Sequence, residues 1–251
     1  MKSTMTTFGV DYATLYDALY CDQDIDRDVN DIIGHVEEYM GESITKRSLL
    51  DVGCGTGSHL ERLRRHFNCT GIDVSEHMLQ ICKQKMSDLT LIHADAKSFN
   101  LERSFDVIIS MSAVLGYQTS NQDVADTLAN YRKHLKKGGL LIFDVWHGNT
   151  VISIAPVQRV KQITTDGNTV IRVVNPILKS DVNICQCDYT LYGFKNGALE
   201  MRSESHKMRY FFTQELEYYL QVAGFKSLSV REPSRVTSSE KWHMQYAAIA
   251  I

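Results

Sequence analysis

Three aspartates, each placed where an apolar run gives way to a turn, carry the most legible chemistry in this 251-residue chain. Asp51 stands just before Gly53-Cys54-Gly55-Thr56-Gly57, Asp73 follows Gly71-Ile72, and Asp95 follows His93-Ala94. A carboxylate only accepts, through two oxygens, so Asp51 suits a ligand ammonium group, Asp73 the paired hydroxyls of a ribose, and Asp95 an exocyclic ring amine. Ala96 beside Asp95 leaves space for the ring, and the glycines let the backbone approach a ligand with no Cβ between them. The turn reads G-x-G-x-G, not G-x-G-x-x-G, and Asp51 would repel a pyrophosphate, which argues against a dinucleotide. Tight turns also need glycine, and a lone aspartate after a strand often caps a helix. Three acids ending three successive strands are hard to attribute to that alone.

Such residues work together only if consecutive parallel strands end on one edge of a sheet. From residue 48 onward, short β-branched runs alternate with amphipathic helical patterns, as βαβ units require. Strands are expected at Ser48–Val52, Cys69–Val74, Leu89–His93, Phe105–Met111 and Leu140–Val145, with Lys136-Lys137-Gly138-Gly139 closing the helix before the last of them. The period then changes to two over Val157–Thr164, Thr169–Asn175, Asn183–Phe194 and Leu199–Tyr210, with turn signals at Asp166-Gly167-Asn168 and Lys195-Asn196-Gly197. A helix capped by Thr213 and strands at Phe225–Arg231 and His243–Ile251 complete the chain. At the start, Tyr12, Tyr16, Leu19 and Tyr20 fall at helical spacing, and Ile32, Ile33, Val36 and Tyr39 mark a second helix. The expected fold is α/β: a doubly wound, seven-stranded, mostly parallel, Rossmann-like sheet with an inserted small antiparallel sheet. Residues 1–156 and 211–251 would form the ligand-binding domain with an N-terminal helical lid, and residues 157–210 the insertion.

With these stretches in view, the chain resembles the class I S-adenosylmethionine-dependent methyltransferases from Asp11 to its end. The resemblance is carried by Leu49-Leu50-Asp51-Val52-Gly53-Cys54-Gly55-Thr56-Gly57, Gly71-Ile72-Asp73-Val74-Ser75, His93-Ala94-Asp95-Ala96, Phe105-Asp106-Val107-Ile108 and Leu135-Lys136-Lys137-Gly138-Gly139. It implies that Asp51 and the turn residues Gly53, Cys54, Gly55 and Gly57 hold the methionine end of S-adenosyl-L-methionine. Asp73 would take the ribose, Met78 or its neighbours the adenine face, and Asp95 the adenine amine; Tyr20, Val74, Ala96 and Met111 complete the implied cofactor set. The segments Tyr12–Tyr20, Phe143–Gly148 and His206–Phe212 resemble a small-molecule branch that includes N,N-dimethyltransferases of nucleotide-linked aminosugars. In that branch the segment after Tyr20 often runs Asp-Lys-Asp-Tyr; here Asp22-Gln23-Asp24-Ile25 lacks the Lys and the Tyr.

Methyl transfer to such an acceptor is an in-line displacement, so the protein must chiefly align the acceptor and exclude water. A protonated amine has no lone pair to attack with. A residue that titrates near neutrality would help, and His147, just past the fifth strand, is the expected base, with Tyr16 and Tyr117 orienting the acceptor. A His or Tyr at a strand end is also a common structural hydrogen-bond partner. His206 and Arg209, three apart on a strand, face opposite ways, so at most one of them points into a site; Arg209 suits a diphosphate or a plain ion pair. The acceptor pocket is expected between the Tyr12–Tyr20 helix, the ends of strands four and five, and the insertion. Another small metabolite as O- or N-acceptor, and a non-catalytic module that senses S-adenosylmethionine, are the competing readings.

A net charge of −3 and a pI near 6.3 give no electrostatic reason for a nucleic-acid partner. No run of about 18 apolar residues could cross a bilayer, and Met1–Thr7 lacks the apolar core of a signal peptide, so a cytoplasmic monomer or homodimer is expected. The six cysteines show neither zinc spacing nor a disulfide framework, and catalysis is expected to need no metal. Cys185 and Cys187, two apart, would share one face of a strand as core residues.

Overall fold

A computed structural model of the chain describes residues 9–41, 45, 47–165, 167–195, 198–231 and 242–251. In chain order its elements are α1 (Val10–Leu19), α2 (Ile25–Met40), β1 (Ser48–Val52), α3 (Ser58–Leu63), β2 (Asn68–Asp73), α4 (Glu76–Lys85), β3 (Thr90–His93), β4 (Phe105–Ser110), α5 (Asn121–Lys133), β5 (Leu135–Trp146) and α6 (Gly148–Ser153). The inserted strands β6 (Arg159–Thr165), β7 (Asn168–Lys179), β8 (Ile184–Lys195) and β9 (Ala198–Arg209) follow, then α7 (Thr213–Val222), β10 (Phe225–Arg231) and β11 (His243–Ala250). The large sheet has the order β10-β11-β5-β4-β1-β2-β3, parallel except for β11, which runs against both of its neighbours. The reversal of strand order beside β1 leaves a crevice at the strand ends, where open α/β sheets bind ligands.

The apolar runs of the sequence reflect burial on both faces of this sheet. Along β1, Leu49 joins a core with Val36 of α2, Leu60 of α3 and Leu79 of α4, while Leu50 joins one with Leu128 of α5 and Leu216 of α7. Ser75 caps α4 by accepting from Met78 N. The smaller sheet, β6-β7-β8-β9, is antiparallel throughout, and α1 packs on it: Tyr12 and Leu19 form a cluster with Ile163 and Leu191. The helix at the N-terminus and the insertion therefore share one apolar core.

Two local expectations are corrected. Helix α5 ends at Lys133 with His134 as its cap, and Lys136–Gly139 lies within β5: pairing shifts from Phe105↔Leu135 to Val107↔Leu140, and Gly138, at φ +75°, absorbs the added residues. Thr213 is the first residue inside α7, not its cap; Glu215 accepts from Phe212 N at 3.3 Å, and the Thr213 hydroxyl faces His147 and Tyr246. Of the two turn signals in the insertion, Asp166, Asn196 and Gly197 lie outside the described residues, and the flanking pairs are Thr165↔Asn168 and Lys195↔Ala198. Among the described residues no helix is long and apolar enough to cross a membrane.

Candidate active site

The turn after β1 folds back over β2, with the amides of Gly53 and Cys54 both donating to the Ile72 carbonyl at 2.8 and 3.0 Å. Gly53, at φ +76°, is required twice over: its backbone disfavours any side chain, and a Cβ would lie 2.5 Å from a Val114 methyl. Gly57 is required for packing, because a Cβ there would strike Cys82 of α4 and Met86 just past its end. The cavity above the strand ends is about 680 Å³, within the range of small-molecule and cofactor sites.

Asp51 is buried on the cavity wall, and its Oδ2 has no hydrogen-bond partner among the described residues. Burial pushes its carboxyl up to about 7, against the pull of His59 and with the help of Asp73. An unanswered acceptor of this kind calls for a cationic donor from a ligand. Asp73 differs: Oδ2 accepts from Gly55 N at 2.8 Å and Oδ1 from Ser75 N at 2.7 Å, which fixes the carboxylate while each oxygen keeps a second lone pair toward the cavity. Burial raises its pKa, and those backbone amides oppose the rise. Asp95 is held by Lys97 N at 2.9 Å beside Ala96. Between these acids Val74, 62% exposed, forms an apolar lip over the buried Met78.

The opposite wall comes from elsewhere. Tyr16 of α1 and Tyr20, which caps its end, line the cavity with ring centroids 4.6 Å apart, and Tyr12 stands behind them with its hydroxyl 2.8 Å from that of Tyr20. Asp17 fastens α1 over the glycine turn, accepting from Thr56 Oγ1 at 2.5 Å and from Lys85. Tyr117 sits on a 3-10 turn, Val114–Tyr117, directly after β4. Tyr189 of β8 and His206 of β9 close the far side, and Trp146, His243 and Met111 complete the wall near β4 and β5.

Of the residues singled out in the sequence, Tyr16, Tyr20, Asp51, Gly53, Cys54, Gly55, Asp73, Val74, Met78, Asp95, Ala96, Met111 and Tyr117 line this one cavity. Gly57 lies behind it, and so does His147. The His147 ring is buried against α6 and α7, with Nδ1 3.5 Å from Thr150 Oγ1 and Nε2 3.2 Å from Thr213 Oγ1, because the residue begins α6 and turns away from the strand ends. Arg209 likewise points away, paired with Glu215 and donating to Asn121, whereas His206 faces inward, so the two do lie on opposite faces. Tyr189 and His243 were not anticipated. Tyr189 was within reach of the pattern that put Cys185 and Cys187 on one strand face, since that face continues to residue 189; His243 has no local signal, because β11 joins β5 only through the sheet.

The methyltransferase domain family matches residues 49–139, the stretch holding all three aspartates. A dTDP-3-amino-3,4,6-trideoxy-alpha-D-glucopyranose N,N-dimethyltransferase of Streptomyces venezuelae is 29% identical over 222 residues, spanning 87% of this chain and 92% of the relative. The crystal structure of Streptomyces venezuelae DesVI superposes with a TM-score of 0.82 at 25% identity, covering 97% of this chain and all of that one. The chain carries a methyltransferase domain and has the fold of the S-adenosylmethionine-dependent sugar methyltransferases it resembles. A sugar N-methyltransferase from a Streptoalloteichus species, 20% identical, shares the fold with a TM-score of 0.83 over 100% of this chain and 98% of its own. Asp51, buried beside the glycine turn with Oδ2 unpartnered among the described residues, lies within the matched stretch.

Proposed function

We propose that this methyltransferase transfers methyl groups to the amino group of a nucleotide-linked aminosugar. The observation that carries the reading is the single cavity, which continues from the three aspartates into an aromatic chamber beneath α1 and the inserted sheet. The related enzymes of Streptomyces venezuelae and Streptomyces fradiae are named for dTDP-linked aminosugars. When bound, S-adenosylmethionine supplies a methyl group made electrophilic by its sulfonium.

The chain's residues do the rest. Asp51 accepts from the cofactor ammonium, Asp73 from the ribose hydroxyls and Asp95 from the adenine amine, with Val74 and Met78 against the ring. Tyr16 and Tyr117 orient the acceptor nitrogen. α1 and the insertion form a cover that keeps water from the reacting atoms.

The test has two parts. Calorimetry should show binding of S-adenosylmethionine and no binding of NAD. Incubation with the cofactor and dTDP-3-amino-3,6-dideoxy-alpha-D-glucopyranose, the sugar in the name of the Streptomyces fradiae relative, should give product heavier by one or two methyl groups. Cofactor binding without any methylated aminosugar would move the assignment to a different small-molecule acceptor.

A further inference from the structure

Glu204, His206 and Tyr117 form a hydrogen-bonded chain that ends in the cavity. His206 Nε2 lies 3.1 Å from Glu204 Oε2, and His206 Nδ1 lies 2.9 Å from the Tyr117 hydroxyl. Glu204 Oε1 accepts from Gly9 N at 2.8 Å, so both of its oxygens act as acceptors. His206 and Glu204 are 2% and 8% exposed. An ionised carboxylate can only accept, so Nε2 carries the hydrogen and Nδ1 offers its lone pair to the Tyr117 O–H.

We propose that this chain is the proton relay of the methyl transfer: Tyr117 takes a proton from the acceptor's ammonium group while passing its own to His206, and Glu204 holds the imidazole in place. The proposal rests on the amine-acceptor reading above. The ammonium N–H bond breaks and an O–H bond forms at Tyr117, as the original Tyr117 proton moves to His206 Nδ1. The nitrogen keeps the electron pair and forms its bond to the methyl carbon, while the carbon–sulfur bond breaks with its pair left on sulfur. The positive charge ends as an imidazolium paired with Glu204, which loses its proton to solvent before the next turnover.

The concerted form is dictated by the surroundings. Burial drives the Tyr117 hydroxyl well above the usual phenol range, with Tyr20 and Tyr16 adding to the rise, so a free phenolate is not available. Among the described residues, His206 is also faced by Tyr12 of α1, with ring centroids 5.7 Å apart, Tyr189 of β8 at 4.8 Å, and Cys187, its partner in register on β8. Arg172 lies farther back, over the Tyr20 and Tyr189 rings. Glu204 is a charged group in hydrogen-bond contact that can receive a cation on the ring.

Two other histidines near this end of the sheet are committed elsewhere. His147 lies off the cavity on two threonine hydroxyls. His243 gives Nδ1 to Asp144, and its Nε2 accepts from Trp146 Nε1 at 3.1 Å; an indole N–H is a donor only, so it occupies that lone pair and relays nothing.

The first arm of the test measures kcat against pH with dTDP-3-amino-3,6-dideoxy-alpha-D-glucopyranose. At neutral pH, His206→Gln and Tyr117→Phe should each lower kcat by about 100-fold, with S-adenosylmethionine affinity unchanged. Both losses should shrink as alkaline pH supplies free amine from solution, a recovery that structural damage would not show. Glu204→Gln should give a smaller loss of the same pH dependence. A deficit that is constant with pH, or no deficit, overturns the relay. An idle wild-type enzyme overturns the acceptor reading instead. In that event the second arm still decides the relay: nitrogen-15 NMR of His206 in the S-adenosylhomocysteine complex, assigned with His206→Gln, should show the neutral Nε2–H tautomer, and a hydrogen on Nδ1 at neutral pH overturns it.

Discussion

On the proposed cofactor side of the cavity, Asp51, Gly53, Cys54, Gly55 and Asp73 come from two adjacent strands and the turn that follows the first. On the proposed acceptor side, Tyr16, Tyr117, Tyr189 and His206 come from a helix, a 3-10 turn and two strands of an insertion. The first wall is made by backbone geometry and carboxylates, one of which, Asp51, keeps an acceptor for the ligand. The second is aromatic, and its polar groups bond to one another: Tyr12 to Tyr20, Tyr117 to His206, His206 to Glu204. One wall thus waits for a fixed partner, while the other presents a pre-organised surface on which different acceptors could be aligned.

Substitutions on one wall should leave the other wall's readout intact, and the largest expected effect is at Asp73. Removing its carboxylate takes away charge-assisted hydrogen bonds and frees the amides of Gly55 and Ser75, so Asp73→Ala should weaken S-adenosylmethionine binding by roughly 10- to 150-fold in calorimetry. Unchanged affinity would break the division between the walls.

Next in size is Tyr16→Phe, which deletes one hydroxyl from the aromatic wall. It should lower kcat by about 10-fold while the cofactor Kd holds, since a lost orienting hydrogen bond costs about 1.4 kcal/mol in the transition state. An equal loss in cofactor affinity would place Tyr16 on the cofactor wall instead.

A third test uses pH. With the Asp51 carboxyl at about 7, cofactor affinity should rise as pH rises through that value. It should fall again as the ligand's own α-amino group, titrating at about 8, loses its charge. Asp51→Asn should abolish the rising limb. The same group bears on stability: a carboxyl whose pKa is raised on folding contributes fully below its unfolded value, and that contribution is lost as pH rises through the folded value. Cofactor-free Asp51→Asn protein should therefore melt higher than wild type in mildly alkaline buffer. A lower melting temperature would mean that the carboxylate has an internal partner.

The smallest effect is expected at His147. His147→Ala should lower the melting temperature by about 3 °C through its lost threonine contacts and leave kcat unchanged. A large fall in kcat with unchanged stability would return His147 to the reaction and sharpen the boundary of the acceptor wall.

The positions of the three acids were legible in the sequence because each is local information. A strand end, a turn and the next strand end are set by short-range periodicity and glycine backbone freedom, and parallel strands place successive ends on one edge. The change of period at residue 157 likewise announced the second sheet, and the three-residue spacing of His206 and Arg209 put them on opposite strand faces. The helix boundary near Lys136 was misread because a Gly-Gly pair ends a helix or bulges a strand equally well, and only pairing with β4 decides between them.

What tertiary structure alone decided is which side chains beyond that edge meet. His147 is two residues past Val145 and was expected at the site, yet the start of α6 turns it toward Thr213. His206 lies far along the chain from Tyr117, and the two meet because β9 packs over the turn after β4, where Gly116 has no Cβ and the Arg209 carbonyl would lie 3.0 Å from one. Strand periodicity fixes which face a residue takes, but not what is folded against that face; that depends on how the inserted sheet docks, through contacts between residues that no local pattern connects.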